Sequence, residues 1–207
     1  AFVNKLDRVG ASFGAVVADI KDRLGANPVP IQLPIGSEDA FNGVIDLVTM
    51  KALMFTGDVT EAPAVEEIPN DLVPAAADAR DQMIQSLADL DDAIAEKYLE
   101  GADISEAEIK AAIRKATIAV KMIPVLAGTA LRNKGIHPLL DAVIDYLPSP
   151  ADLPPVQGVD PRSIFGGTSP TGGTEKLSRS PKNNEPFSAL VFKIAMDEGR
   201  KVCFMRI

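Results

Sequence analysis

The fold is predicted chiefly from residues 1–7, Ala1-Phe2-Val3-Asn4-Lys5-Leu6-Asp7. A short apolar run leads into the tetrad N-K-x-D. An amphipathic helix is predicted to follow, with Ser12 as its N-cap and Gly25 as its left-handed C-terminal stop. Strand, loop and helix in this order are typical of a nucleotide-binding α/β fold. The sequence therefore favours the α/β class, with a ligand-binding loop at residues 4–7.

The tetrad carries side chains that can read a guanine base. Guanine presents two donors, at N1 and at its exocyclic amino group, and one carboxylate can accept both, which is the role predicted for Asp7. Adenine would leave that carboxylate unpaired, and sites of this kind reject the wrong base strongly. We expect Asn4 to hold the base edge and to tie its loop to neighbouring loops. The aliphatic stem of Lys5 is expected to lie over the face of the base.

A second candidate loop follows the predicted strand "MIPVL". Guanine O6 is an acceptor, and a backbone N–H in a tight loop of small residues can meet it. We expect Ala130 to supply that donor and Leu131 to pack near the base, with Gly128 and Thr129 completing the loop. Alone, these letters are typical of an ordinary strand-to-helix turn, and their place after N-K-x-D is what favours binding. The stretch Asn133-Lys134-Gly135-Ile136 repeats the first pair without a carboxylate and is predicted to be a turn.

Composition limits the classes of function. The 207 residues carry a net charge of −8, which argues against generic nucleic-acid binding. The sequence contains neither an apolar stretch of membrane-spanning length nor a signal-peptide pattern. Its one cysteine, Cys203, excludes an internal disulfide and a zinc cage and fits a reducing cytosol, so we expect a cytoplasmic protein. The sequence gives no oligomeric state, and we expect a monomer. Residues 58–108 hold 15 acidic and two basic side chains, which indicates either a solvated helical face or a docking surface for a protein partner.

The remaining patterns predict an alternation of elements. Short antiparallel strands are predicted in "PVPIQLPIG", "FNGVIDLV" and "MKALMF", followed by one long helix from about Asp71 to Leu99. The next helix begins at Ser105, which forms a capping box with Glu108. A further helix is predicted over about residues 136–147.

The end of the chain has a different composition. Residues 148–186 contain half of the 16 prolines and are predicted to be a linker or mobile loop. Residues 187–207 are predicted to be a strand pair that starts an all-β domain. Both ends of the sequence interrupt a predicted strand, so we expect an internal fragment of a longer protein.

Several of these segments together resemble the family of bacterial translation elongation factor G. The resemblance is carried by "FVNKLDRVGASF", "RLGANPVPIQLPIG", "FNGVIDLVTMKAL", "AEKYLEG", "NKGIHPLLDAVIDYLPSP" and "EPFSALVFKI". It covers nearly the whole chain, with gaps around residues 58–70 and in the predicted linker. It implies a ribosome-dependent GTPase that promotes translocation and uses GTP and Mg²⁺.

The resemblance also implies residue roles and an architecture. Asn4, Lys5 and Asp7 would be the guanine-specificity motif. Residues 128–130 would be the last base-contacting loop, in which the family usually has Ser where Thr129 stands. The C-terminal half of a P-loop GTPase G domain would comprise residues 1–25 and 120–147, and an inserted α+β subdomain would comprise residues 26–119. A linker would follow at residues 148–186, and an all-β barrel would start at residues 187–207. The family's insert faces the stalk protein of the large ribosomal subunit.

Departures from the family define the alternatives. "SIFGGTSPTGGTEKLSRS" has no counterpart that we can place, and "MDEGRKVCF" is shorter than usual, which favours a divergent or second-copy member. The sequence contains no G-x-x-x-x-G-K-[ST], so we expect no catalytic residue, no metal site and no GTP hydrolysis by this chain alone. A ribosomal protection protein, a GTPase release factor, and a stalk-binding module that binds no nucleotide remain open.

Overall fold

The computed structural model describes residues 1–58, 60–159, 176–182 and 184–206. The chain divides into two compact units, 1–147 and 148–207. In chain order the first unit contains β1 (Phe2–Val3), α1 (Phe13–Leu24), β2 (Pro28–Pro30), β3 (Gln32–Ile35), β4 (Gly43–Asp46), β5 (Lys51–Met54), β6 (Ala64–Glu66), α2 (Val73–Ala88), α3 (Asp92–Glu100), α4 (Glu106–Ile118), β7 (Ile123–Ala127) and α5 (Ile136–Tyr146). Among the described residues no helix is both long enough and apolar enough to cross a membrane.

A three-stranded parallel sheet has the order β1-β7-β2. Val3 lies opposite Ala127, so the segments that follow β1 and β7 leave the sheet side by side. This sheet confirms the predicted α/β class. Strand β2 pairs with β7 as well, although residues from 26 onward were expected to belong to an inserted subdomain. That division into domains stays a prediction.

Helix α1 begins and ends where the sequence predicted. The Ser12 hydroxyl accepts a hydrogen bond from the Ala15 N–H at 3.3 Å, and Gly25 is left-handed with φ 61°. The Gly25 N–H donates to the carbonyl of Lys21 at 3.1 Å. Both signals are local, because each depends on atoms within about one helical turn of the boundary.

An antiparallel sheet of order β3-β4-β5-β6 and the helices α2 to α5 form the rest of the described part of the first unit. The prediction of one helix from about 71 to 99 was wrong. The backbone of Asp91 is extended (φ −141°, ψ 113°), and its carboxylate accepts hydrogen bonds from the N–H groups of Ala93 and Ile94. A new N-cap therefore separates α2 from α3 in the middle of the apolar pattern.

The predicted capping box of α4 is confirmed. The Ser105 hydroxyl accepts from the Glu108 N–H, and the Glu108 carboxylate accepts from the Ser105 N–H at 3.0 Å. The ammonium of Lys97 lies 2.6 Å from the same carboxylate. Lys97, followed by Ser105, lowers the pKa of Glu108 to about 2. Ile109 and Ile113 of the same helix are fully buried.

The described residues of the second unit form two antiparallel strand pairs. The first joins β8 (Val156–Val159) and β9 (Lys176–Arg179), and the second joins β10 (Leu190–Asp197) and β11 (Arg200–Arg206). Strands β8 and β9 lie within the stretch predicted to be a linker, whose residues 160–175 and 183 lie outside the described ones. The pair β10–β11 stands where an all-β domain was predicted to start, and the barrel itself stays a prediction.

Candidate functional site

Three loops meet beyond the ends of β1, β3 and β7, and we name residues 4–10, 36–41 and 128–135 the three-loop cluster. The Leu6 N–H donates to the Gly128 carbonyl at 3.3 Å, and the Gly128 N–H donates to the Val3 carbonyl at 3.0 Å. Beneath the loops lies an apolar cluster of Val3, Leu6, Phe13, Phe41, Val44, Val125 and Ala127. In the three-loop cluster, the two loops predicted from the sequence therefore lie beside each other, and the loop at residues 36–41 is the third.

Asp7 is the best-fixed carboxylate in the cluster. Its Oδ1 accepts a hydrogen bond from the Thr129 hydroxyl at 2.6 Å, and its Oδ2 lies 3.0 Å from Nε of Arg132. The side chain of Asp7 is only 8% exposed. The Thr129 hydroxyl is the main cause that lowers the pKa of Asp7, and Arg132 acts in the same direction. The group is therefore ionised at neutral pH, and a carboxylate with about four acceptor positions can take further donors beside these two.

Asn4 ties its loop to the loop after β7, as expected. Its Oδ1 accepts from the Lys5 N–H at 2.8 Å and from the Ala130 N–H at 2.9 Å. The donor that was predicted for guanine O6 is thus engaged with Asn4 in this structure. Lys5 has φ 64°, a left-handed conformation that is uncommon for a residue with a side chain. The side chain of Leu131 is 87% exposed beside these groups.

Gly128 is required by the close approach of its neighbours. A Cβ at this position would lie 2.5 Å from the Phe2 ring and 2.6 Å from the Lys134 carbonyl oxygen. Gly135 is similarly restricted, because it has φ 84° and its Cβ would lie 2.6 Å from the Ala127 carbonyl oxygen. The two glycines let the loop fold back on the end of β7, which keeps Thr129 buried next to Asp7.

Sequence reasoning missed the residues that join the third loop to the other two. Glu38 accepts from the Gly10 N–H at 2.7 Å, and the Lys134 ammonium donates to the Phe41 carbonyl at 2.6 Å. Lys134 lies in the predicted turn at 133–136, where Asn133 is left-handed with φ 54°. The first contact joins residues that are 28 positions apart in the sequence, and the second joins residues that are 93 positions apart. No local sequence pattern therefore predicts them.

The described residues contain no cluster of side chains that could hold a metal ion without a ligand. Within residues 1–58, 60–159, 176–182 and 184–206, no group of three or more His, Cys, Asp or Glu side chains is placed to hold a metal ion. A separate surface pocket of about 200 Å³ lies between α3 and α4, and Asp91, Ile94, Glu108 and Lys115 are among the residues that line it. None of its lining residues belongs to the three-loop cluster.

Comparison with known proteins points to one family. The model of the elongation factor Tu GTP binding domain matches residues 1–149, a range that contains the whole three-loop cluster. Among solved structures, the chain is similar to a protein from Thermus thermophilus whose crystal structure is known, with 27% sequence identity and a TM-score of 0.63. The match covers 75% of this chain and 24% of that protein, so the chain spans about a quarter of its length.

Proposed function

The chain belongs to the family of the elongation factor Tu GTP binding domain, and on that premise we propose that its three-loop cluster binds the guanine base of GTP and GDP. The whole protein would be a ribosome-dependent translational GTPase of the elongation factor G type that the sequence resembles. One observation carries the proposal: the Asp7 carboxylate is ionised, nearly buried and fixed by Thr129. The exposed side chains of Lys5 and Leu131 lie on the same loops.

Recognition would follow from complementary donors and acceptors. The N1–H and the exocyclic N–H of guanine would both donate to Asp7, whose orientation is held by the Thr129 hydroxyl. Adenine presents an acceptor at N1, which would face the ionised carboxylate without a proton between them. The Ala130 N–H would turn from Asn4 to guanine O6 when the base enters. The stem of Lys5 and the side chain of Leu131 would cover the base.

Hydrolysis and partners belong to the whole protein. The phosphate-binding loop pattern is absent from this sequence, so we propose that this chain alone does not hydrolyse GTP. We propose that the acidic surface of residues 58–108, which include α2 and α3, faces the ribosomal stalk protein. Its support is the excess of acidic residues at 58–108 and the pocket between α3 and α4. The chain would act as a monomer.

Nucleotide titration of the ¹⁵N-labelled chain, followed by NMR, tests base recognition. We expect GMP to bind more tightly than AMP or XMP. In Asp7→Asn the preference should move to XMP, because xanthine replaces the exocyclic amino group by a carbonyl that the Asn amide can reach as a donor. The exposed Asp22→Asn on α1 is the matched control and should keep the preference for GMP.

Two results would overturn the proposal. If the unaltered chain shows no preference for GMP, or if Asp7→Asn leaves the order of affinities unchanged, the cluster does not read guanine and a stalk-binding module is favoured. Magnesium-dependent GTP turnover by the purified chain would contradict its expected inactivity.

A further inference from the structure

The loop that carries Asp7 is held from two sides. On one side it contacts residues 128–132, of which 128–131 were expected to bind the base. On the other side Glu38 makes two hydrogen bonds to it: the Glu38 N–H donates to the Leu6 carbonyl at 3.1 Å, and its Oε1 accepts from the Gly10 N–H at 2.7 Å. Leu6 precedes Asp7 directly and Gly10 lies three residues after it. The two bonds therefore bracket the carboxylate proposed to read guanine.

We propose that Glu38 is a positioning residue for guanine recognition, which keeps the Asp7 carboxylate aligned with the edge of the base. This inference rests on the proposed guanine site. Asp7 has no support of its own on this side, because its two side-chain partners, Thr129 and Arg132, both belong to the opposite loop. If the bond between Glu38 and Gly10 is lost, the turn at residues 7–10 can move away, and Asp7 moves with it.

The backbone of the supporting loop is unusual. Glu38 has φ 52°, a left-handed conformation that residues with a side chain rarely adopt. Such conformations persist when the surroundings determine them, and they occur frequently at functional sites. Two residues earlier, Gly36 has φ 78°, and a Cβ there would lie 2.1 Å from the Ala40 carbonyl oxygen. The tight turn aims Glu38 at the loop of Asp7.

The supporting loop is also fixed at its far end. Phe41 is fully buried in the apolar cluster below the three loops, and its carbonyl accepts from the Lys134 ammonium at 2.6 Å. Because Lys134 belongs to the loop after β7, the three loops form a closed ring of contacts. Glu38 is therefore a rigid support, and its loop joins the antiparallel strands β3 and β4 to the site.

Base selectivity separates positioning from general stability. Glu38→Gly removes the carboxylate but accepts the left-handed backbone without strain, so the fold and the backbone bond to Leu6 can persist. Glu38→Gln retains an oxygen acceptor for the Gly10 N–H. Glu66→Ala, at an exposed position of β6, is the control for loss of one negative charge. NMR titrations with GMP and with AMP would be made on each variant and on the unaltered chain.

We expect Glu38→Gly to weaken GMP binding about tenfold, the scale of one lost charge-assisted hydrogen bond, while AMP binding stays the same. Glu38→Gln should restore GMP binding to within about threefold, since a neutral acceptor is weaker than a charged one. The amide proton resonance of Gly10 should move upfield in Glu38→Gly and only partly so in Glu38→Gln. Glu66→Ala should match the unaltered chain.

Failure of the inference and failure of the proposed function have different signatures. If the unaltered chain prefers GMP and Glu38→Gly retains the same ratio of GMP to AMP affinity, the positioning role is wrong and the guanine site stands. Equal losses for both nucleotides, or a Glu38→Gln variant as weak as Glu38→Gly, would also overturn it. If the unaltered chain has no preference for GMP, the guanine site fails and the positioning role fails with it.

Discussion

Replacement of Gly36 by alanine tests how the loop at residues 36–41 is built. The added Cβ would lie 2.1 Å from the Ala40 carbonyl oxygen and 2.7 Å from its carbonyl carbon. Both are backbone atoms, so the turn must open to relieve the overlap. Gly25→Ala is the matched control, because Gly25 is also left-handed, with φ 61°, and nothing lies within 4 Å of its Cβ position.

The free energies of unfolding should differ between the two variants. A left-handed backbone costs an alanine about 1–2 kcal/mol relative to glycine, and both variants carry this cost. Overlap with surrounding atoms adds about 1–3 kcal/mol, and only Gly36→Ala carries it. The entropy that alanine removes from the unfolded chain is the same in both and cancels. We therefore expect Gly36→Ala to be destabilised by about 2–5 kcal/mol and Gly25→Ala by about 1–2 kcal/mol.

Urea unfolding followed by tyrosine fluorescence measures this difference. The only two tyrosines, Tyr98 and Tyr146, both lie in the first unit, so the signal reports the unit that contains the loop. If Gly36→Ala unfolds within about 0.5 kcal/mol of Gly25→Ala, which is the scale of an ordinary surface substitution, the turn is not as tight as described and the argument fails.

Three further predictions concern the site, the capping box and the core. Thr129→Val removes the hydroxyl that chiefly lowers the pKa of Asp7, so that pKa should rise toward its ordinary value in a carboxyl ¹³C NMR titration; an unchanged value would contradict the hydrogen bond. The hydrogen bond from Lys97 is the largest cause that lowers the pKa of Glu108 from its ordinary 4.5 to about 2. The ionised Glu108 therefore stabilises the folded chain above pH 4.5, and this stabilisation is lost as the pH falls toward 2. The urea midpoint of Glu108→Gln should therefore be lower than that of the unaltered chain at pH 7 and equal to it near pH 2, and a constant gap would disprove the linkage. Ile113→Ala, at a fully buried position, should cost about 2–5 kcal/mol in the same urea assay, and a cost below about 1 kcal/mol would mean that the site is not a packed core.

The features that the sequence predicted well are those with local causes. The sequence predicted that α1 begins after Ser12 and ends before Gly25, and that α4 begins at Ser105. These boundaries are predictable because capping involves atoms within a few residues of each other. The break between α2 and α3 is also local, but the apolar stripe continues through it, so periodicity alone suggested a single helix. Only the cap at Asp91 distinguishes the two cases.

The site was predicted in part for the same reason. Asn4, Asp7 and Thr129 could be named because base recognition demands particular side chains in a particular chain order. Glu38 could not be named, because its contacts depend on where β3 ends relative to the first loop. Similarly, the sequence predicted a helix over about residues 136–147 but not that Ile144 on it would be 76% exposed.

The separation of the site's partners along the chain has a consequence for biosynthesis. Thr129, the hydrogen-bond partner of Asp7, is synthesised 122 residues after it. Ala130, the partner of Asn4, is synthesised 126 residues after it. At about 5–20 residues per second, the interval on a bacterial or eukaryotic ribosome is roughly 6–25 s. Throughout that interval the nascent chain contains Asn4, Lys5 and Asp7 but lacks β7, the strand whose following loop holds them. The proposed nucleotide can therefore stabilise only chains whose synthesis has passed β7, and it cannot assist the folding of shorter ones.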